Sequence, residues 1–336
     1  MKKQLINVFK LIAFIGFAVL LLWLVLRNQN IDLLKSKLKE ANYWYPSLAL
    51  VFAFLSNVIR GYRWNQLIKP LGYKPKIVNT YAALMVGYFT NLGFLRLGEV
   101  TRCGVLSKYE NIPASKLFGT VIVERVVDVI TIFLLLFLVV VFQFNMMLDF
   151  SMTYVFNPMI EKFTDYANKG FSFYMVLFVI LLVITIGIWF AIRWLKSSSV
   201  YSKIRNFIKG FVDGIKTIRS LEKPWLFIAN TMVLWFLYFL MSYVCFFSFS
   251  ATANLGIMAG LTVMVMGGFG YAAPVQGGFG AFHVIVTQTL VLYAIAPSDG
   301  LAFAFLVHSM QTLAVIVFGM LSFLVLPLYN RKKTEV

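Results

Sequence analysis

From Pro224 to Ser298 the chain runs 75 residues without one Asp, Glu, Lys or Arg. A transmembrane helix needs about 20 consecutive apolar residues, so this stretch alone has room for about three spans. The rest of the chain agrees: 60% of its residues are hydrophobic and 13% charged, against roughly 25% charged in a soluble domain. Too little polar surface excludes a soluble globular protein, and too much apolar surface excludes a disordered one. In lipid every backbone N–H and C=O must find its partner inside a helix or a closed barrel. A barrel reads as short alternating segments, whereas here the apolar runs are long and continuous. The fold class is therefore all-α, a polytopic transmembrane helical bundle.

The runs divide into spans at 8–26, 46–64, 118–142, 171–192, 224–249, 255–272, 277–294 and 300–328. That gives about eight crossings in a single integral membrane domain over residues 1–336. The first run continues to Leu26 without a small-residue cleavage site and reads as a retained span. Two segments are amphipathic and suit the membrane surface, 27–45 and 193–223. Residues 43–45, Tyr-Trp-Tyr, have the composition of an interfacial aromatic belt.

The net charge of +17 belongs mainly to basic loops. The 193–223 segment carries eight Lys and Arg, which places it on the cytoplasmic side. If every segment crossed once from a cytoplasmic N-terminus, that loop would be outside. The simplest repair is that 79–106 dips into the membrane and returns. Lys69, Lys74, Lys76, Lys108, Lys116 and the C-terminus are then all cytoplasmic. The alternative is an external N-terminus with 79–106 crossing fully. In the first arrangement, a second broken hairpin at 255–294 would open from the other side. Two interrupted elements of opposite orientation are what an inverted repeat produces. The basic loops suit an anionic leaflet; no nucleic-acid fold surrounds them.

An ionisable group at membrane depth costs a few kcal/mol unless it is paired or wet. Arg60, Arg63, Arg96, Glu99, Arg102, Glu124, Arg125 and Asp128 all fall within or beside membrane segments. Glu99 and Arg102 share a helix face, as do Glu124 and Asp128; Arg125 points about 100° away from Glu124. Either these groups are ion pairs that hold the bundle together, or they line a net-positive cavity for an anionic headgroup. Arginine suits phosphate through its bidentate fork, and Asn91 with nearby glycines would let backbone N–H groups approach the same ligand. The second candidate is the turn at Gly277, Gly278 and Gly280, followed by His283. It suits a helix break whose restart faces an anion, or close packing through small residues. His283 and His308 are the only histidines, and both sit in charge-free spans. Arginines between the carboxylates and the lack of a neighbouring His argue against a metal site. Cys103 and Cys245 read as structural thiols. No phosphate loop, dinucleotide fingerprint or zinc motif occurs.

At these residues the chain resembles a family of flippase-like integral membrane proteins that includes the transmembrane region of lysylphosphatidylglycerol synthetase. The matching stretches are Arg60-Gly61-Tyr62-Arg63-Trp64, the run from Asn91 through Arg96, Gly98 and Glu99 to Arg102, Glu124-Arg125-Val126-Val127-Asp128, and Gly277-Gly278-Phe279-Gly280. The resemblance implies a lipid-translocating domain in a bacterial inner membrane, with no cofactor. The chain departs from the family pattern at Gln276, where proline is usual, and at His283, where a carboxylate is frequent. After residue 328 only a short basic tail follows, so lysyl-lipid synthesis by this chain alone is not expected.

The reading that joins these features is a multi-pass protein, not an enzyme, with a cytoplasmic C-terminus. It would move an anionic phospholipid or a polyprenyl phosphate between leaflets. Arg60, Arg63, Arg96 and Arg102 would hold the phosphate, with Glu99, Glu124 and Asp128 positioning them. The rivals are a membrane-embedded lipid-modifying transferase, whose donor site the short loops leave no room for, and a non-catalytic partner of an envelope-synthesis enzyme. A homo-oligomer is compatible with each.

Overall fold

The structure, a computed structural model, describes residues 31–94, 97–152, 157 and 221–331. The chain divides into two compact units, residues 1–139 with 218–336, and residues 140–217. Ten α-helices and no strand occur among the described residues, as a helical membrane bundle requires.

The first unit contains α1 (Ile31–Glu40), α2 (Trp44–Ile68), α3 (Ile77–Gly93), α4 (Gly98–Glu110) and α5 (Ala114–Phe142). Of the second unit, α6 (Phe144–Ser151) is described. The chain returns to the first unit with α7 (Pro224–Val244), α8 (Ile257–Ala272), α9 (Ala281–Val291) and α10 (Pro297–Asn330). The spans expected at 8–26 and 171–192, and most of the 193–223 surface segment, lie outside the described residues.

Local rules set the helix ends. Pro224 and Pro297 open α7 and α10 at positions whose N–H would be unpaired anyway. Asn111 closes α4 in the left-handed conformation. By length and apolar composition α5, α10 and the run Pro224–Ser248 can each cross a membrane. Their outward faces are apolar at helical spacing: Phe133, Leu134 and Phe137 on α5, Met232 and Phe236 on α7, Met320, Leu324 and Leu328 on α10. A soluble bundle would turn such stripes inward; here the bilayer is the solvent for them.

The intervening helices come as two antiparallel hairpins. In the first, Asn79 Nδ2 donates to Glu110 at 2.6 Å near the open end, and Asn91 Oδ1 accepts from the Gly98 N–H at 2.7 Å near the tip. Gly98 lets the helices touch: a Cβ there would overlap both the Gly87 carbonyl and Asn91. In the second, Tyr293 Oη donates to Thr262 at 2.8 Å near the open end, and Gly270 meets the Phe282 backbone near the tip. At 1.5 Å rise per residue, the 13 residues of α4 span about 20 Å and the 11 of α9 about 16 Å, against a hydrocarbon core of about 30 Å. Neither crosses alone. Residues 79–106 thus fall in one antiparallel helical hairpin and 255–294 in a second, interrupted at 276–280.

Helix α10 is a spine along both hairpins. Gly300, in its first turn, packs on Thr287 and Leu290. Its middle holds the second tip: His308 Nε2 bonds the Gly277 carbonyl oxygen at 2.8 Å, and Tyr271 Oη donates to Gln311 at 2.5 Å. Further along, Gly319 meets Phe89, Leu326 packs with Ala82 and Val86, and Asn330 bonds Asn79 at 2.8 Å. The hairpins thus open toward opposite ends of α10. Their tips meet, with Gln276 Nε2 donating to the Gly93 carbonyl at 3.1 Å. The part of 27–45 that is described forms α1, whose Leu34 and Leu38 pack on the core and whose Lys37 pairs with Asp299.

Candidate functional site

Three helices deliver charge to one place, and a fourth a hydroxyl. Helix α2 supplies Arg60 and Arg63, α4 supplies Arg102, α5 supplies Glu124 and Asp128 one turn apart, and α7 supplies Tyr238. Arg60 Nε donates to Glu124 Oε1 at 2.9 Å, and its Nη2 pairs with Asp128. Its Nη1 donates to Tyr88 Oη at 2.8 Å and Tyr238 Oη at 3.1 Å. Arg63 Nη2 reaches Asp128 Oδ1 at 2.5 Å, and Glu124 Oε1 at 3.8 Å. Arg102 Nη1 approaches both Glu124 oxygens at 3.3 and 3.4 Å. Its guanidinium lies 4.7 Å above the Trp64 ring, and that of Arg63 lies 5.8 Å from Phe227.

The site is closed and positively charged. Arg63 and Glu124 are 0% exposed and Arg102 is 1% exposed. Three arginines share two carboxylates, an excess of one positive charge. The hydrogen bonding is also incomplete: Nε and Nη1 of Arg63, Nε and Nη2 of Arg102 and Nε of Arg125 are buried without a partner. Buried donors are normally satisfied, and leaving a charged one unsatisfied costs about 1–3 kcal/mol or more. Acceptor oxygens, of water or of a small anion, are what satisfy such donors.

The sequence-level candidates fall as follows. Arg60, Arg63, Arg102, Glu124 and Asp128 come together. Glu99 does not pair with Arg102, its neighbour on the helix face, but with Arg125 of α5 at 3.5 Å. Arg125 also reaches Asp128 at 3.7 Å, and this outer pair is partly exposed. Arg96 lies outside the described residues. Asn91 holds the start of α4 instead of offering free backbone donors. Gly277, Gly278 and Gly280 have φ of 57°, 76° and 80°, the left-handed region that favours glycine, so the break forms at the expected place. Its hydrogen bonds run to Gly93 and His308, not to the arginines. His283 Nδ1 accepts from the Gly280 N–H at 3.3 Å. Its Nε2 is buried without a partner among Phe305, Phe282 and His308. Cys103 and Cys245 are free and buried.

Tyr88 and Tyr238 escaped the sequence reading, and Trp64 entered it only as part of the Arg60–Trp64 stretch, without a role. A signal existed for the tyrosines: each places a hydroxyl deep in an apolar run, away from the interfacial depth where tyrosine normally sits.

Comparison with known proteins bears on this geometry. A model of the lysylphosphatidylglycerol synthase transmembrane region matches residues 10–319. A UPF0104 membrane protein of Methanocaldococcus jannaschii is 27% identical over 277 residues, 76% of this chain and 80% of that protein. The glycosyltransferase AglD of Haloferax volcanii is 33% identical over 98 residues, 29% of this chain but 16% of that protein. No solved structure matches. The family match covers every charged residue of the site, both hairpins and most of α10, and on that ground the chain belongs to the lysylphosphatidylglycerol synthase transmembrane-region family.

Proposed function

We propose that this protein moves an anionic phospholipid or a lipid-linked phosphate such as polyprenyl phosphate between the leaflets of a bacterial inner membrane, as a transporter and not as an enzyme. One observation carries the reading: a buried cluster with one excess positive charge and four unpartnered nitrogens on Arg63 and Arg102. A phosphate would satisfy those donors and neutralise the excess. In the conformation described, Glu124 and Asp128 occupy the guanidinium groups. They would keep the arginines placed and charged while the site is empty, then share them with the incoming headgroup.

Access requires movement, because the cluster is closed. The tip contact between Gln276 and Gly93 sits where two hairpins of opposite orientation meet. Parting it would open a path from one leaflet to the other. The basic end of the molecule, with Lys69, Lys74, Lys76 and Lys116, is assigned to the cytoplasm by the positive-inside tendency. Energy would come from a gradient, a partner or the lipid's own imbalance. The match to a short stretch of a glycosyltransferase favours, as the second reading, a lipid-carrying partner of an envelope glycosyl-transfer enzyme.

Native mass spectrometry of co-purified lipid tests the proposal. The unchanged protein is expected to retain one anionic lipid class, and Arg102→Lys, which keeps the charge but loses the fork, to release it. Identical lipid retention by both would leave the cluster as ion pairing alone.

A further inference from the structure

At the foot of α2 a pocket of about 280 Å³ opens between the end of that helix, the 72–75 loop and the start of α7. Its size is near the lower end of small-molecule pockets, roughly 300 Å³. Tyr62, Gln66, Lys69, Tyr73, Lys74 and Asn230 line it. Its charge is one-sided. Lys69 Nζ bonds Glu222 at 2.5 Å; that bond, with Lys74 and Lys223 nearby, holds the exposed Glu222 carboxyl below its usual range. Three ammonium groups around one carboxylate leave two positive charges. Two of the lining residues are aromatic, Tyr62 and Tyr73, and Tyr62 is exposed. Such rings settle at headgroup depth.

The pocket also stands in line with the buried cluster. Gln66, Arg63 and Arg60 follow at three-residue intervals along α2, on one slowly turning face, with Lys69 just past its end. Across the groove stand α7 and Glu222, two residues before its start. Glu222 meets Lys69, Asn230 Nδ2 donates to Gln66 at 3.2 Å, Phe227 faces Arg63 and Tyr238 bonds Arg60. Gln66 and Asn230 themselves line the pocket, and Gln66 follows Arg63, whose Nε and Nη1 are unpartnered, by three residues on α2.

We propose that this pocket is a second, outer phosphate-binding site, where Lys69 and Lys74 take the phosphate group before it passes the Gln66–Asn230 bond to Arg63. The proposal rests on the transport reading for its direction but not for the binding itself. The phosphate can belong to a lipid headgroup or be free, and the chemistry of capture is the same.

Calorimetric titration of the detergent-purified full chain tests it, with dihexanoyl phosphatidylglycerol, dihexanoyl phosphatidylcholine and inorganic phosphate as separate probes. The double change Lys69→Gln with Lys74→Gln alters two exposed side chains and should weaken phosphatidylglycerol binding about tenfold, as loss of hydrogen bonds to charged groups does. Glu222→Gln frees Lys69 and should strengthen it about threefold, the scale of an exposed ion pair. Lys108→Gln, at an exposed lysine outside the pocket, should leave it unchanged. Binding of phosphatidylglycerol without inorganic phosphate identifies the source as a headgroup; binding of inorganic phosphate that displaces the lipid identifies the phosphate alone as sufficient. Binding that is absent in the unchanged protein, equal for phosphatidylcholine, or unmoved by the double change and by Glu222→Gln overturns the proposal. Arg102→Lys should bind at the outer site as the unchanged protein does. If that holds while the unchanged protein moves no lipid across the membrane, the outer site stands and the transport reading falls.

Discussion

At the scale of single residues, Glu124 decides whether the cluster holds. It lies within 4 Å of Arg60, Arg63 and Arg102 at once, and no water shares the load at 0% exposure. Removing one partner of a buried ion pair leaves uncompensated charge, at a cost of about 3–5 kcal/mol. Glu124→Gln should therefore lower the thermal unfolding midpoint in detergent sharply. Glu99→Gln, which loses only the partly exposed contact with Arg125, should change stability by less than about 1 kcal/mol. Equal midpoints for the two variants would contradict the placement. The sequence announced these charges because charge is rare in this chain; it set Glu99 and Arg102 on one helix face, but not the partner of Glu99, which is Arg125. The three-residue rule describes one helix surface, whereas the crossing of α4 with α5 brings Arg125 nearer. Nor does spacing reveal that Tyr88 and Tyr238 complete the shell of Arg60, since the three residues lie on different helices.

At the scale of elements, the hairpins depend on close approach. A methyl at Gly98 would overlap the Gly87 carbonyl and the Asn91 amide, while Gly104 of the same helix has nothing within 4 Å of an added Cβ. Gly98→Ala should cost about 1–3 kcal/mol through overpacking and displace Arg102, which follows one turn later on α4. Gly104→Ala should be neutral or stabilising by up to about 1 kcal/mol, from helix propensity. Thermal melts of both variants, with lipid retention measured alongside, check this contrast. The breaks themselves were legible in the sequence. Polar and glycine residues interrupt the 79–106 run, and three glycines crowd the 277–280 turn. What could not be read was the meeting of the tips, because the Gln276–Gly93 bond joins residues far apart in the chain and no periodicity carries that information.

At the scale of the whole molecule, the two ends of α10 in the first unit carry different polar groups. Asn79, Glu110 and Asn330 gather at one end of α10, while Lys37 and Asp299 pair at the other. With Cys103 and Cys245 replaced by serine, Lys74→Cys and Ser298→Cys should label from opposite faces of the membrane with an impermeant maleimide. Labelling of both from one face would contradict the opposed hairpins. The sequence reading left ion pairs and an arginine-lined cavity both open; the structure has Arg60, Arg63 and Arg102 closed on Glu124 and Asp128. The most direct measurement is translocation of a fluorescent phosphatidylglycerol in proteoliposomes of phosphatidylcholine and phosphatidylglycerol, read by dithionite quenching. The unchanged protein should expose more of the probe than empty vesicles do. Arg63→Lys with Arg102→Lys, folded but without the two forks, should fall to the level of empty vesicles. Transport that is equal in both proteins would show that the arginine cluster does not carry the lipid.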